Sequence, residues 1–411
     1  MKKVSLLIVG AGGQVGGFYD QRLVEGSLQH GQVNCASLVD QVVRVDRRFK
    51  NEPQSLRFSS LEAAGAYGPF DRVAVCVDTN SHHKAMMELF GLDGILCDNS
   101  SIFLQKPIAK NIGQAEAIIK LAGKRDKALF IGNQYARQPA FADLVKRLEE
   151  KRIAPYEISI NYFKNRGARV AGSANQKPKD HPVAGVWDEE GHHIITMLLA
   201  VAPSLPLSVQ ALNVSMVPIR VNPQRGEDAE RMGLYLIGRG CDSWGEYLSY
   251  VIPGQAMLQI IGDGWVALVN TSFESPWQER SMTIQGCDKR IGVSHEEYPN
   301  SFTGWRIDIA SYQSREAFAK SYLTEWSGLA YIKAWSAAKT FFREYADSDL
   351  LGQEFRDFLS GNTSALLMGK EALIHMKIFD AGIRAVRSAI SPNSTLLLGP
   401  IQKIGRKIKI R

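Results

Sequence analysis

The chain has 411 residues, 45% hydrophobic, 22% charged and 9% aromatic. That supplies cores for two or three domains and excludes a disordered or collagen-like polymer. The 49 basic and 42 acidic residues leave a net charge of +7. Five of the positive charges, Lys403, Arg406, Lys407, Lys409 and Arg411, lie at the end of the chain. The remainder is near neutral, so neither nucleic acid nor an anionic membrane is an expected partner. No run of 18 apolar residues predicts a membrane span.

The apolar run Val4–Val9 reads as a strand buried on both faces rather than a signal peptide, because it stops at Gly10 with no cleavage site behind it. A helix is predicted over Val15–Leu28 and a second strand over Cys35–Val39. Leu61–Tyr67 reads as helix, Arg72–Val77 as strand, His83–Leu89 as helix and Ile102–Leu104 as strand. Ile112–Leu121 carries apolar residues at helical spacing, and Ala128–Ile131 is another strand. Strands alternating with helices predict an α/β, doubly wound parallel sheet of Rossmann type over residues 1–132.

Beyond it, residues 133–390 predict a substrate-binding and oligomerisation domain of α+β class with a largely antiparallel open sheet. Residues 391–411 form a basic tail. Pro139–Leu148 reads as helix, Tyr156–Tyr162 as strand, Asn165–Pro182 as a polar loop and Val186–Ala202 as a long helix. Strands are predicted from Leu207 to about Val293, including Ala256–Ile261 and Trp265–Asn270. Ser314–Tyr345 and Ala365–Ser388 read as helical. The five cysteines, Cys35, Cys76, Cys97, Cys241 and Cys287, show no zinc or redox spacing. A reducing cytoplasm is the expected compartment, and no metal site is predicted.

Gly10-Ala11-Gly12-Gly13-Gln14-Val15-Gly16 follows the first strand and opens the first helix. It fits GxGxxxG, or GxxGxxG through Gly10, Gly13 and Gly16. In both, residues without Cβ let backbone approach a pyrophosphate at a helix N-terminus. Gly10, Gly12, Gly13, Gln14 and Val15 are the expected coenzyme contacts. Asp40, read as the end of the second strand, is the expected acid for an adenosine ribose. That favours NAD, while Arg44, Arg47 and Arg48 keep NADP open.

Val73-Ala74-Val75-Cys76-Val77-Asp78-Thr79-Asn80-Ser81-His82-His83, then Leu104-Gln105-Lys106-Pro107-Ile108-Ala109, resembles the Gfo/Idh/MocA oxidoreductases, relatives of glucose–fructose oxidoreductase and inositol dehydrogenase. Ile131–Phe141, Gly191-His192-His193 and the segments Phe355–Gly361 and Gly369–Ala385 extend the resemblance to about residues 4–390. Three departures stand out. Gln105 replaces the usual Glu of Glu-Lys-Pro, Asp78-Thr79 replaces Thr-Pro, and extra residues separate His83 from Lys106.

The resemblance implies an NAD(P)-dependent oxidoreductase acting on a hydroxyl-bearing carbon of a sugar, nucleotide-sugar or cyclitol, assembled as a homodimer or homotetramer. Lys106 is then the electrostatic stabiliser of a developing alkoxide and His193 the general base. Glu189, four residues before His193, orients the imidazole if the helix includes both; otherwise Asp188 is an equal choice. Thr79, Asn80, His83 and Gln105 fall on the nicotinamide side, with helix capping an alternative for Asn80. Tyr135, Arg137, Arg166, Asp188 and His192, together with Lys106, are the candidate substrate contacts. Two rival readings are an NAD-dependent hydrolase cleaving a glycosidic bond through transient oxidation, and a nucleotide-binding regulator that lacks the chemistry.

Overall fold

The computed structural model describes residues 3–23, 33–133, 138–165, 186–218, 251–272, 274–286, 289–297, 303–311, 339–346, 349–362 and 367–389. The chain divides into two compact units, Met1–Gln138 with Ser348–Asp380, and Pro139–Asp347 with Ala381–Arg411.

In the first unit β1 (Val4–Val9) leads into α1 (Gln14–Gln21), followed by β2 (Val39–Val45), β3 (Arg57–Phe58), α2 (Leu61–Gly65), β4 (Phe70–Val75), α3 (Thr79–Gly91), β5 (Leu96–Leu104), α4 (Ile112–Lys124) and β6 (Ala128–Ile131). With β15 (Leu367–Met368) these strands form a sheet of order β15-β6-β5-β4-β1-β2-β3. All its pairings are parallel except that of β15 with β6. Leu6, Leu7 and Ile8 are fully buried, as expected of a strand covered on both faces. This is the predicted doubly wound parallel sheet.

The second strand differs from its prediction. Ala36–Leu38 is a single 3-10 turn, and β2 begins only at Val39. Asp40 and Gln41 separate Val39 from Val42-Val43, and Arg44 separates these from Val45, so the strand lacks a continuous apolar run.

One face of the sheet is covered by α1 and by the late helix Leu350–Ser360, through a cluster of Leu6, Ile8, Tyr19, Phe103, Phe130, Phe355 and Phe358. Asp349 caps that helix by accepting from Gly352 N–H at 3.0 Å. It also accepts from Arg22 Nε at 3.0 Å and from Val33 N–H at 2.9 Å. The Arg22 and Asp349 side chains are only 3% and 10% exposed, so removing one strands the other's charge. Asp349→Ala is expected to cost about 3–5 kcal/mol in urea unfolding. A cost below about 1 kcal/mol, the range of an exposed pair, would contradict this account.

The second unit contains α5 (Pro139–Glu150), β7 (Glu157–Asn165), α6 (Val186–Val201) and β8 (Pro206–Pro218). Then follow β9 (Val251–Gly262), β10 (Trp265–Ser272), β11 (Glu274–Gln285), β12 (Lys289–Glu297), β13 (Thr303–Ser311) and β14 (Lys339–Ala346). The sheet order is β14-β13-β12-β11-β7-β10-β9-β8, antiparallel except where β7 meets β10. Trp265, Ala267, Val269 and Thr271 of β10 are buried, with half-exposed residues between them. That alternation marks a sheet with one face packed, here under α5 and α6.

The helix predicted over Ser314–Tyr345 is corrected at its end. Lys339–Ala346 is a strand paired antiparallel with β13, because Thr340, Phe341, Phe342 and Tyr345 suit a pleated surface; residues 312–338 lie outside the described residues. Among the described residues no helix is long and apolar enough to cross a membrane.

Candidate active site

The last residues of five neighbouring strands pair in one row, Val45–Val9–Val75–Leu104–Ile131. Residues 46, 10, 76, 105 and 132 therefore share the carboxyl edge of the first sheet, where open α/β folds bind ligands. The pairing continues one step past the strands. Cys76 N–H donates to Val9 O at 2.7 Å, Gln105 N–H to Val75 O at 3.1 Å and Gly132 N–H to Leu104 O at 2.9 Å.

At this edge the glycine turn is crowded at Gly10, Gly12, Gly13 and Gly16, so both spacings, GxGxxxG and GxxGxxG, are compatible with it. Gly10 has φ +85°, and a Cβ there would stand 2.8 Å from the carbonyl carbon of Cys76. A Cβ on Gly16 would reach within 2.2 Å of Gly10 O, so only glycine lets α1 press against the turn. Gly13 caps α1 with no side chain bonded to its N-terminus. Gln14 and Val15 lie in its first turn, which leaves a short backbone N-terminus of the kind that receives phosphate.

Asp40, expected at this edge, is exposed and lies at the opposite end of β2. Five residues at ~3.3 Å each put it about 17 Å from Val45. The acid at the edge is Asp46. Its Oδ2 accepts from Gly12 N–H at 3.1 Å. Its carboxylate receives a two-pronged bond from Arg48, Nε to Oδ1 at 2.7 Å and Nη2 to Oδ2 at 2.9 Å. These bonds, led by the Arg48 side chain, hold the Asp46 carboxyl below its ordinary range and outweigh its burial. Arg44 is engaged elsewhere, on Asp20 at 2.6 Å. A Cβ on Gly12 would lie 2.7 Å from Arg48 Nη2 and 3.0 Å from Asp46 Oδ2. The Gly12 N–H bond ties the turn to the acid, and Arg48 closes on the same carboxylate. The sequence signal for Asp46 is its position directly after Val42-Val43-Arg44-Val45.

Lys106 follows β5 and is half-buried, its peptide bond to Pro107 cis. Gln105 turns inward instead of toward the edge. Its Nε2 donates to the hydroxyl of Tyr19, and a Cβ on Gly132 would crowd its carboxamide at 3.3 Å. Tyr19 stacks on Phe355 with ring centroids 4.3 Å apart. Burial first, then the nearby Glu354 carboxylate, keeps its hydroxyl well above the ordinary pKa. Glu354, itself 1% exposed, accepts from Asn133 N–H. Tyr19 and Glu354 were not among the expected site residues.

Thr79, Asn80 and His83 lie half-buried in the first turns of α3. Asn80 is not the helix cap: Asp78 holds that position, and its carboxylate accepts from Ser81 Oγ at 2.8 Å. The buried histidine here is His82, in line with Ala85, Met86 and Leu89 along the packed face of α3. That helical spacing distinguishes it from His83.

The remaining expected residues belong to the second unit or lie outside the described residues. Helix α6 begins at Val186, so Glu189 and His193 lie one turn apart on one helix. The side chains of Asp188 and Glu189 are outside the described residues, as are Tyr135, Arg137 and Arg166. His192 is buried, while the half-buried His193 ring lies parallel to Tyr162 with centroids 6.1 Å apart. Trp187, fully buried in the same helix, faces Gly382, where a Cβ would come within 2.3 Å of its indole.

No protein-family model matches the chain, and no curated protein matches its sequence. Solved structures do match. UDP-N-acetylglucosamine 3-dehydrogenase GnnA from Acidithiobacillus ferrooxidans aligns with a TM-score of 0.58 at 15% identity, over 95% of this chain and 100% of that one. The WlbA dehydrogenase from Bordetella pertussis, in complex with NADH and UDP-GlcNAcA, gives 0.59 at 15% identity over 94% and 97%. A Desulfitobacterium hafniense protein described as an NADPH-dependent oxidoreductase gives 0.63 at 13% identity over 94% and 97%. The likeness is one of fold. It covers both units and agrees with the mostly parallel first sheet and mostly antiparallel second one.

Proposed function

We propose that the chain is an NAD-dependent oxidoreductase of the Gfo/Idh/MocA kind, acting on a hydroxyl-bearing carbon of a sugar or nucleotide-sugar. The observation that carries this reading is the Gly10–Gly12–Gly16 turn with Asp46 bonded to its Gly12 N–H at the carboxyl edge of a parallel sheet. The residues fit a dinucleotide. Backbone without Cβ and the N-terminus of α1 suit a pyrophosphate, and a carboxylate at the end of β2 suits ribose hydroxyls. One solved neighbour of the same fold is named as a UDP-N-acetylglucosamine 3-dehydrogenase, and another, a dehydrogenase, holds NADH and UDP-GlcNAcA.

The nicotinamide, when bound, accepts or returns a hydride. The chain's own groups manage charge and proton. Lys106, at the end of β5, stabilises a developing alkoxide, and His193, supported by an acid one turn earlier on α6, takes the hydroxyl proton. Gln105 is committed to Tyr19, so its part is to seat the turn that carries Lys106.

Asp46 also sets the choice between coenzymes. A carboxylate repels a 2′-phosphate, and Arg48 is neutralised while bonded to it. Asp46→Ala frees Arg48, and the ratio of NADPH to NADH affinity is expected to rise about 10-fold or more, worth ~1.4 kcal/mol. Fluorescence titration with both coenzymes checks this, and an unchanged ratio would count against Asp46 as the ribose acid. A screen of UDP-sugars, sugars and cyclitols with NAD, following absorbance of NADH, tests the activity itself. Release of a sugar with no net NADH would favour the hydrolase instead.

A further inference from the structure

His82 is 1% exposed, and each of its ring nitrogens faces a main-chain carbonyl. Nδ1 lies 2.8 Å from Pro107 O and Nε2 lies 3.0 Å from Val77 O. These carbonyls belong to two different turns. Val77 follows β4 and leads into α3, whereas Pro107 follows β5 and is bonded directly to Lys106. A five-membered ring is rigid, so it holds the two turns at a fixed separation. A neutral imidazole donates to one carbonyl and an imidazolium to both. Burial outweighs the two carbonyls and the Asp78 carboxylate and holds the ring below its ordinary pKa, toward the neutral form. An apolar side chain here would take away the ring's N–H donor and the polar contact that joins the two part-buried carbonyls.

We propose that His82 is the positioning residue for Lys106. Braced between Val77 and Pro107, its ring sets where the Lys106 turn stands on the carboxyl edge, a few tenths of an ångström counting at such a site. This rests on the reading of Lys106 as the cation that stabilises the alkoxide. The wider edge supports it, because Gln105 fixes the residue before Lys106 from below while His82 fixes the residue after it.

The test uses the full chain and three substitutions. The side-chain nitrogen of Asn falls near the place of Nδ1 and that of Gln near Nε2, so His82→Asn retains a donor to Pro107, His82→Gln retains one to Val77, and His82→Leu retains neither. Two quantities are read. The first is acetylation of Lys106 by acetic anhydride as a function of pH, followed by mass spectrometry on protein without coenzyme. The second is kcat and KM on whichever sugar the wild type oxidises.

The expected order is wild type, then Asn, then Gln and Leu together. His82→Leu should lose about 10- to 100-fold in kcat with the coenzyme KM little changed, as for a misplaced catalytic group. Its Lys106 labelling profile should be displaced along the pH axis. If His82→Leu does not fold, the ranking of Asn above Gln decides. Labelling profiles identical to wild type in the Asn and Gln variants, or Gln ranking above Asn, would overturn the proposal whatever Lys106 does in turnover. A Lys106→Met protein that retains full turnover would instead remove the catalytic reading and leave labelling to judge His82 alone.

Discussion

Lys106→Met is expected to lower turnover by about 10²–10⁴-fold while the affinity for NADH stays within roughly threefold of the wild type. Met approximates the length of Lys and fills the same half-buried space after β5, so the loss isolates the charge. An alcohol gives up its hydroxyl proton as hydride departs from the same carbon, and the oxygen gains negative charge only as the reaction proceeds. A cation placed there acts on the transition state far more than on the bound substrate, so kcat falls and coenzyme binding does not. Stopped-flow measurement of NADH formation, beside fluorescence titration of NADH, separates the two quantities. Full turnover in this variant would remove Lys106 from the chemistry.

The second large effect is expected at the glycine turn. In Gly16→Ala the new Cβ would meet Gly10 O at 2.2 Å and the Ala11 Cα at 2.8 Å. Both are backbone atoms and no rotamer relieves the contact, so α1 must move off the turn. The cost in stability is about 1–3 kcal/mol, as for an overpacked core. Coenzyme affinity should fall by more than about 100-fold, because the amides that meet the pyrophosphate move with the helix. Gly17→Ala is the matched control. Its Cβ would find only Ala11 O, at 3.8 Å, so stability should be unchanged or improved by about 0.5–1 kcal/mol through helix propensity. Equal behaviour of the two variants would show that close approach is not what Gly16 provides.

The parallel sheet was legible because each cue is local. A buried apolar strand ends in glycines, and helical and strand-like segments alternate at βαβ spacing. The acid at the carboxyl edge is hard to place from sequence for a physical reason. The second strand carries Gln41 and Arg44 among its valines, so local hydrophobicity points to an end at Val39 beside Asp40, whereas the strand runs on to Val45 and brings Asp46 to the edge. In α3 the adjacent histidines differ only in direction, and the line from His82 through Ala85, Met86 and Leu89 identifies the buried one. At Lys339–Ala346 the helix expected over Ser314–Tyr345 gives way to a strand beside β13, where Thr340, Phe341, Phe342 and Tyr345 suit a pleated surface.

Other features leave no local trace at all. Glu354 meets Asn133 across 221 positions of sequence, and Asp349 meets Arg22 across 327. That residues 348–380 return to the first unit is a property of the folded chain. Gln105 belongs in the same group. Its replacement of a glutamate is visible in sequence, but its bond to Tyr19 requires α1 and β5 to be packed together.

Calorimetric titration of the full chain with NADH and with NADPH tests the central claim most directly. The account predicts one site per chain, NADH bound more tightly than NADPH, that preference reduced by Asp46→Ala, and binding lost in Gly16→Ala but kept in Gly17→Ala. Absence of binding by either coenzyme to the folded wild-type chain, or binding indifferent to Gly16, would contradict it.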